Sequence, residues 1–151
     1  MSDIWRPHVT VASIVEHDGK FLLVEEHADD HRLVINQPAG HWEADETLAQ
    51  GAARETLEET GCQVEIQHLV GVYRWPHRSK PITYLRFAFA ARLLTQDPQR
   101  PLDQGIVRAL WLTPDQLHAE APRHRSPLVQ RCVEDFLAGR RYPLDLISHF
   151  D

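Results

Sequence analysis

The stretch that begins at Gly40, GHWEADETLAQGAARETLEETGC, constrains the fold of this chain more than any other segment. Thr47 or Asp45 can cap the start of a helix, and Gly61 can adopt the left-handed conformation that commonly ends one. An alanine-rich segment lies between these two signals. We therefore predict a loop, a helix over residues 47–60 and a second loop.

The predicted helix has two unlike faces. At about 100° per residue, Glu55, Glu58 and Glu59 share about one third of the helix circumference. The residues expected on the opposite side are mostly small or apolar: Ala49, Ala52, Ala53, Thr56 and Leu57. We expect that side to be buried against a sheet and the acidic side to face away from it. The three like charges repel one another at this spacing, and a bound cation would relieve the repulsion.

Oxygen ligands without clustered histidine or thiolate groups suit a hard divalent cation, Mg²⁺ first and Mn²⁺ next. Protein-bound Mg²⁺ usually keeps water and completes its shell with substrate phosphate, so the predicted partner is a small phosphorylated molecule. The alternative is a solvated acidic helix surface, which is the usual outcome for a Glu-rich helix. The positions of Gly40, Glu46 and Arg54 argue against that alternative, because they belong to a longer pattern.

That pattern resembles the Nudix box, G-x5-E-x7-R-E-U-x-E-E-x-G-U, where U is apolar. The matching residues are Gly40, Glu46, Arg54, Glu55, Glu58, Glu59, Gly61 and Cys62. Only Thr56, at the first U, is less apolar than the pattern asks. Seven fixed identities over 23 positions make the resemblance highly specific. It implies an α/β fold, a Nudix-type α/β/α sandwich with a mixed β-sheet.

The resemblance also assigns roles to the residues of the box. The implied metal ligands are the Gly40 carbonyl and the side chains of Glu55, Glu58 and Glu59. Glu55 is the expected general base, with Glu58 as the alternative because members of the family differ at this point. Arg54 would orient the carboxylates by charge-assisted hydrogen bonds, and Glu46 would support Arg54 or the loop without touching the metal.

Flanking runs narrow the resemblance to one branch of the family. The runs PHVTVA, QPAGH, EADETL, LRF and RSPLV are similar to the NudJ subfamily of bacterial phosphatases. That similarity implies Mg²⁺-dependent hydrolysis of nucleoside di- and triphosphates, thiamine diphosphate and hydroxymethylpyrimidine diphosphate, with release of orthophosphate. Two alternatives remain open. One is another Nudix specificity, such as ADP-ribose or a dinucleoside polyphosphate, and the other is a nucleotide-binding regulator without catalysis.

Substrate contacts are expected from both sides of the box. Arg86 lies between apolar neighbours on a predicted strand, where an arginine pairs with an acid or with phosphate. Tyr84, with Tyr73 and Trp75, can form a flat wall for a heterocyclic ring, and core packing is the alternative for each. Trp42 can line the pocket or simply pack beside its turn.

Three further groups have polar side chains that invite a functional reading. The segment 27–31, HADDH, holds two histidines and two aspartates, but we expect a solvated loop, because a loop does not hold these side chains on a common face. Asp103 is a candidate extra metal ligand that the family often recruits from such a loop, and we expect it to be solvated. Arg125 and Ser126, by resemblance, lie near the substrate or anchor the last helix, and anchoring is our expectation.

The rest of the chain alternates strand and helix signals. Asp18-Gly19 predicts a hairpin, and Pro38 with Gly40 predicts a tight bend before the acidic helix. The predicted strands are His8–Glu16, Lys20–His27, Leu33–Asn36, Val64–Trp75, Pro81–Leu94 and Val107–Leu112. The remaining predicted helices start near Thr113 and span Pro127–Arg140, and the apolar tail 141–147 is expected to dock.

The composition of the chain limits the number of domains, the location and the class of partner that we expect. With 151 residues, of which 42% are hydrophobic and 25% charged, the chain is expected to form one Nudix domain over residues 1–151. Nothing resembles a signal peptide or membrane span, and the two cysteines are expected to be reduced, so the predicted location is the cytoplasm. The net charge of −6 argues against a nucleic-acid polymer as partner. Monomer and homodimer both remain open.

Overall fold

The computed structural model describes residues 3–151, which form seven β-strands and three α-helices. The strands are β1 His8–His17, β2 Lys20–His27, β3 Leu33–Asn36, β4 Ala39–His41, β5 Cys62–Pro76, β6 Thr83–Gln96 and β7 Ile106–Leu112. The helices are α1 Leu48–Thr60, α2 Pro114–Ala119 and α3 Leu128–Leu137, with 3₁₀ turns at Ala121–Arg123 and Leu144–Leu146.

The strands form a mixed sheet around β1. Strand β1 runs parallel to β6 and antiparallel to β4, while β5 extends the sheet beyond β6. Strand β2 is antiparallel to both β3 and β7, and it meets β1 only next to the predicted hairpin turn at Asp18-Gly19. The predicted mixed sheet is therefore confirmed.

Strand β1 is buried on both faces, because successive side chains of a strand point in opposite directions. Val11 packs with the α1 residues Leu48 and Ala52. Ala12 and Ile14 belong to a second cluster that contains residues of α3. Helices therefore cover both faces of the sheet, and the predicted α/β/α sandwich is confirmed.

Helix α1 begins and ends where its sequence signals predict. Thr47 accepts a hydrogen bond from the Gln50 N–H, and the Gln50 side chain accepts one from the Thr47 N–H, which completes a capping box. Gly61 ends the helix with a φ of 74°. Thr56, the residue that departs from the box pattern, is buried with its hydroxyl 2.7 Å from that of Ser13 on β1.

The expected division of α1 into a buried small-residue face and an outward acidic face was wrong. Glu55 and Glu59 are only 9% and 7% exposed, whereas Leu57 is half-buried. The helix packs against β1 through Ala52 and against β4 through its carboxylates. Two strands divide the buried side between them, so apolar periodicity alone placed that side incorrectly.

The predicted bend is present at Pro38, between β3 and β4, but its expected extension to Gly40 was wrong. Gly40 lies within β4, directly opposite Val11 of β1. Its lack of a side chain serves packing, since a Cβ at this position would collide with the carboxyl group of Glu55.

The carboxyl-terminal part docks as predicted, although its helix is shorter than expected. Helix α3 ends at Leu137, and Gly139 follows with a φ of 85°. Tyr142 then exchanges two backbone hydrogen bonds with Leu69, of 2.8 and 2.9 Å. Within residues 3–151, no helix has the length and hydropathy needed to cross a lipid bilayer.

Candidate active site

The backbone of β4 has one edge paired with β1. Ser13 N–H donates to the Pro38 carbonyl at 3.1 Å, and Trp42 N–H donates to the Val9 carbonyl at 3.1 Å. Residues on an antiparallel strand turn their backbone groups alternately toward and away from the neighbouring strand. Pro38 and Trp42 face β1, so Gly40, midway between them, also faces β1.

The other edge of β4 faces the acidic helix. Ala39 N–H donates to Glu59 Oε1 at 2.9 Å, and the His41 carbonyl accepts a hydrogen bond from Arg54 Nη2 at 3.2 Å. The same alternation turns the Ala39 carbonyl toward α1. The predicted carbonyl ligand at Gly40 is thus on the wrong edge of the strand, and Ala39 has the backbone oxygen on the helix side.

Arg54 is the centre of the charged network on α1. Its Nη1 donates to Glu55 Oε1 at 2.8 Å and to Glu58 Oε2 at 3.2 Å. Its other edge donates to both carboxylate oxygens of Glu46, at 2.8 and 2.9 Å. Glu43 lies at 3.6 Å. The contacts that the box resemblance implies for Arg54 and Glu46 are therefore present in the structure.

Three carboxylates converge at the end of α1. Oxygen atoms of Glu55, Glu58 and Asp103 lie within 4.8 Å of one another. Asp103 was expected to be an ordinary solvated residue; it is exposed, but its N–H donates to the Glu58 carbonyl at 3.0 Å, which holds its loop beside the helix. Glu59 is outside this group and is bound to the Ala39 N–H.

Burial makes the charged forms of two neighbouring carboxylates, Glu55 and Glu59, unfavourable without a cation. Desolvation raises the pKa of Glu55 despite the hydrogen bond from Arg54. Desolvation also raises the pKa of Glu59 to about 9, because the Ala39 N–H compensates only in part. Neighbouring oxygen donors of like charge are the ligand type that a hard divalent cation requires, so these residues fit Mg²⁺ or Mn²⁺.

A cavity of about 240 Å³ lies on the other side of Gly40 from Glu55. Its lining residues are Thr10, Glu26, Asn36, Ala39, Gly40, His41, Trp75, Tyr84, Arg86, Arg125, Ser126 and Leu128. Trp75 and Tyr84 are stacked with ring centroids 6.0 Å apart and planes inclined by 15°. The cavity thus combines a flat aromatic wall with charged and polar groups next to the carboxylate cluster.

Arg86 lies in this cavity and is 6% exposed. Its Nη1 donates to Gln37 Oε1 at 2.9 Å, and its Nη2 donates to Asn36 Oδ1 at 3.0 Å. We expected an acid or a phosphate as its partner, and within residues 3–151 no carboxylate approaches the guanidinium within 4 Å. The protein partners are neutral amides, which leave the positive charge unbalanced.

Other predicted groups have different surroundings. Trp42 is not among the residues lining the cavity; its indole Nε1 donates to the Glu46 carbonyl at 2.9 Å and thereby braces the loop before α1. Tyr73 donates its hydroxyl hydrogen to Asp135 Oδ2 at 2.7 Å. In the segment 27–31 the acidic groups form ion pairs, Asp29 with Lys80 and Asp30 with Arg32, as suits a solvated loop.

Sequence reasoning missed several polar residues of the cavity. Asn36 lines the cavity and Gln37 is buried behind it; both precede the box without belonging to it, and both accept hydrogen bonds from Arg86. Glu26 Oε1 accepts a hydrogen bond from Arg125 Nη1 at 2.8 Å across 99 residues of sequence. No local pattern relates residues that far apart.

Comparisons with known proteins agree with this geometry. The NUDIX domain model matches residues 5–132. Phosphatase NudJ of Escherichia coli K12 is 43% identical over 148 residues, covering 98% of this chain and 95% of that protein. A NUDIX hydrolase structure from Nitrosomonas europaea has a TM-score of 0.94 and 47% identity, over 96% of this chain and 98% of that one. A second hydrolase of that organism has a TM-score of 0.76 and 29% identity, over 93% and 77% of the two chains. The chain therefore belongs to the Nudix hydrolase family.

Proposed function

We propose that this enzyme hydrolyses phosphoanhydride bonds in nucleoside di- and triphosphates, in thiamine diphosphate and in its hydroxymethylpyrimidine diphosphate precursor, with Mg²⁺ and release of orthophosphate. The observation that carries this proposal is the contact at Gly40, whose one side meets the Glu55 carboxyl while its other side lines a cavity containing Arg86. A phosphate chain at the carboxylates can therefore continue into the cavity. The name of the NudJ relatives supports phosphatase activity.

The proposed metal site combines the sequence expectation with the fold. Glu55, Glu58 and Glu59 stay as ligands, Asp103 joins them through its place in the cluster, and the Ala39 carbonyl replaces that of Gly40. Mg²⁺ bound there would polarise the phosphate oxygens and lower the pKa of a coordinated water; Mn²⁺ is the second choice. Arg54 keeps the Glu55 and Glu58 carboxylates in place for this ion.

Glu55 is our proposed general base, with Glu58 as the alternative. The attacking water forms a P–O bond to the terminal phosphorus, the bridging P–O bond breaks, and the water proton passes to the carboxylate. The products are orthophosphate and a substrate shortened by one phosphate. In the absence of a cation, burial raises the pKa of the Glu55 carboxyl above its ordinary value.

The organic part of the substrate is proposed to lie in the cavity. Tyr84, stacked on Trp75, offers a flat apolar surface for a heterocyclic ring, and Arg86 offers donors to phosphate oxygens. Trp42 would act from the edge, by holding the loop before α1. Cys62 and Cys132 are both buried and free, which suits the reducing cytoplasm that we propose as the location.

A product analysis tests the proposal. The enzyme with Mg²⁺ is given nucleoside di- and triphosphates, thiamine diphosphate, hydroxymethylpyrimidine diphosphate, ADP-ribose and a dinucleoside polyphosphate. We expect orthophosphate from the nucleoside di- and triphosphates, thiamine diphosphate and hydroxymethylpyrimidine diphosphate. We expect little turnover of ADP-ribose and the dinucleoside polyphosphate. Nucleoside monophosphate without orthophosphate would instead indicate a different Nudix specificity, and binding without any product would indicate a regulator.

A further inference from the structure

We propose that the end of the cavity formed by Arg86, Arg125 and the start of α3 is a second anion subsite, which binds the substrate phosphate next to the one held at the carboxylates. This inference rests on the proposed function, because it assumes a substrate with a phosphoanhydride bond. According to this inference, the cavity selects substrates with a second negatively charged phosphate, a selection that the box residues do not make.

No carboxylate of residues 3–151 balances the charge of Arg86. The Arg86 guanidinium is buried, and its protein partners are the neutral side chains of Asn36 and Gln37 and the Cys132 sulfur at 3.9 Å. Transfer of a charge out of water is costly unless an opposite charge offsets it. A phosphate oxygen in the adjoining cavity would supply that opposite charge.

One donor of the Arg86 guanidinium, the Nε–H, has no protein partner. Within residues 3–151, Arg86 Nη1 and Nη2 make hydrogen bonds, whereas its Nε makes none. Gln130 Oε1 is the only fully buried side-chain nitrogen or oxygen of that part of the chain without a partner, so the Arg86 Nε keeps a small accessible surface although the residue as a whole is buried. The Nε edge of a guanidinium has two parallel N–H groups with the spacing of two phosphate oxygens.

Arg125 and the amino-terminal end of α3 add to the positive potential in the cavity beside Arg86. Arg125 lines the same cavity, and its charge is balanced by Glu26 at 2.8 Å. Ser126 and Leu128, at the amino-terminal end of α3, also line it, and this end of the helix has a partial positive charge. Two arginines, one acid and a helix end give the cavity a net positive charge.

The sheet register relates Arg86 to β4, the strand that faces the acidic helix. Thr10 of β1 pairs with His41 on one side and with Arg86 on the other, so His41 and Arg86 are two strand spacings apart, about 10 Å. The Arg86 guanidinium binds Asn36 and Gln37, which precede β4 in the sequence. Gly40, next to Glu55, lines the same cavity as Arg86, so a phosphate chain that starts at the carboxylates can extend toward the guanidinium, whereas a phosphomonoester would occupy only one of the two positions.

Anion binding without metal separates this subsite from the carboxylate cluster. Protein in EDTA is titrated with pyrophosphate by calorimetry, and the titration is repeated with Arg86→Gln. We expect the variant to bind at least about 10-fold more weakly, because a bidentate charge-assisted contact is lost. Arg92→Gln is the matched control, since Arg92 lies on the same strand but is exposed and pairs with Glu65; it should bind like the wild type.

Arg86→Lys addresses the risk that the glutamine variant folds poorly. Lysine keeps the positive charge but lacks the two parallel N–H donors of the guanidinium. We therefore expect weakened pyrophosphate binding with an unchanged circular dichroism spectrum. Wild-type affinity in both Arg86 variants would overturn the subsite. It would also be overturned if a phosphate-free nucleoside bound the wild type as tightly as pyrophosphate and lost that affinity in Arg86→Gln. Metal-free pyrophosphate binding that depends on Arg86, together with no hydrolysis of any substrate, would refute the proposed function and leave the subsite intact.

Discussion

Arg54 and Glu46 bind each other through two hydrogen bonds, from Nε to Oε2 at 2.9 Å and from Nη2 to Oε1 at 2.8 Å. This pairing leaves Nη1 of Arg54 for Glu55 and Glu58. Arg54 therefore links the loop before α1 to the carboxylates of Glu55 and Glu58, so the position of the loop affects the position of these carboxylates. The hydrogen bond to Glu46 is the main cause that raises the pKa of Arg54, so the guanidinium of Arg54 stays charged.

Loss of the Glu46 carboxylate is expected to impair turnover without removing any metal ligand. Glu46→Gln should lower kcat by about 10- to 100-fold, because Arg54 would lose its fixed orientation. Glu43→Gln is the control, since Glu43 is exposed and its contact with Arg54 is longer, at 3.6 Å. Equal kcat values for the two variants, measured at saturating Mg²⁺, would contradict this role.

Glu58 and Glu59 are expected to be necessary for turnover but not for folding. Glu58→Gln or Glu59→Gln should lower kcat by at least about 100-fold, since each removes a ligand charge from the proposed ion site, while thermal melting stays close to wild type. Glu65→Gln, an exposed change on β5, should leave both quantities unchanged. Near-normal turnover in either variant would remove that residue from the metal site.

Gly40 is expected to tolerate no side chain. Gly40→Ala would place a Cβ against the Glu55 carboxyl, so the carboxylate must move and turnover should fall by about 100-fold. At Gly51 the added Cβ would lie 2.8 Å from Glu46 Oε1, a milder overlap than the one at Gly40 and with a side chain that is not a proposed metal ligand, so Gly51→Ala should lose less activity. The reverse order of the two kcat values would refute this explanation of Gly40.

Tyr84 is expected to select substrates that contain an aromatic ring. Tyr84→Ala should raise KM for a nucleoside triphosphate by about 10-fold and leave KM for inorganic triphosphate nearly unchanged, because ring stacking contributes about 1 kcal/mol or more. Tyr84→Phe retains the ring and should restore KM. An equal rise in KM for both substrates would show that Tyr84 acts on the phosphate chain.

Glu25 is expected to make stability depend on pH in the acid range. The hydrogen bond from Arg123 lowers its pKa below the ordinary value of 4.5, with Arg108 adding to the effect. A depressed carboxyl pKa stabilises the fold above the ordinary value, and this contribution is lost as pH falls through the folded-state pKa. Glu25→Gln should therefore cost about 2 kcal/mol of unfolding free energy at pH 7.

Below that pKa the Glu25 carboxyl is protonated and resembles the glutamine amide in charge. The difference between wild type and Glu25→Gln, measured by denaturant unfolding from pH 7 to pH 3, should therefore shrink in acid. A constant difference over that range would contradict the assignment. Glu65→Gln, which alters an exposed pair with Arg92, should show little difference at any pH.

Local signals in the sequence were sufficient for the boundaries of α1 and for the family. Thr47 and Gly61 carry their own capping chemistry, and the identities of the box are local by nature, so α1 and the acidic set followed from residues 40–62 alone. Alternating apolar residues likewise predicted the long strands, because a strand turns successive side chains to opposite faces.

Only the tertiary structure decided which groups meet. The edge of β4 that faces α1, the approach of Asp103 to Glu58 and the neutral partners of Arg86 depend on strand pairing and loop closure between distant residues. Helical periodicity places three glutamates on one face, but it does not specify that β4 buries two of them. Burial depends on what packs against a face, and that information is in the pairing of whole strands, which no short segment contains.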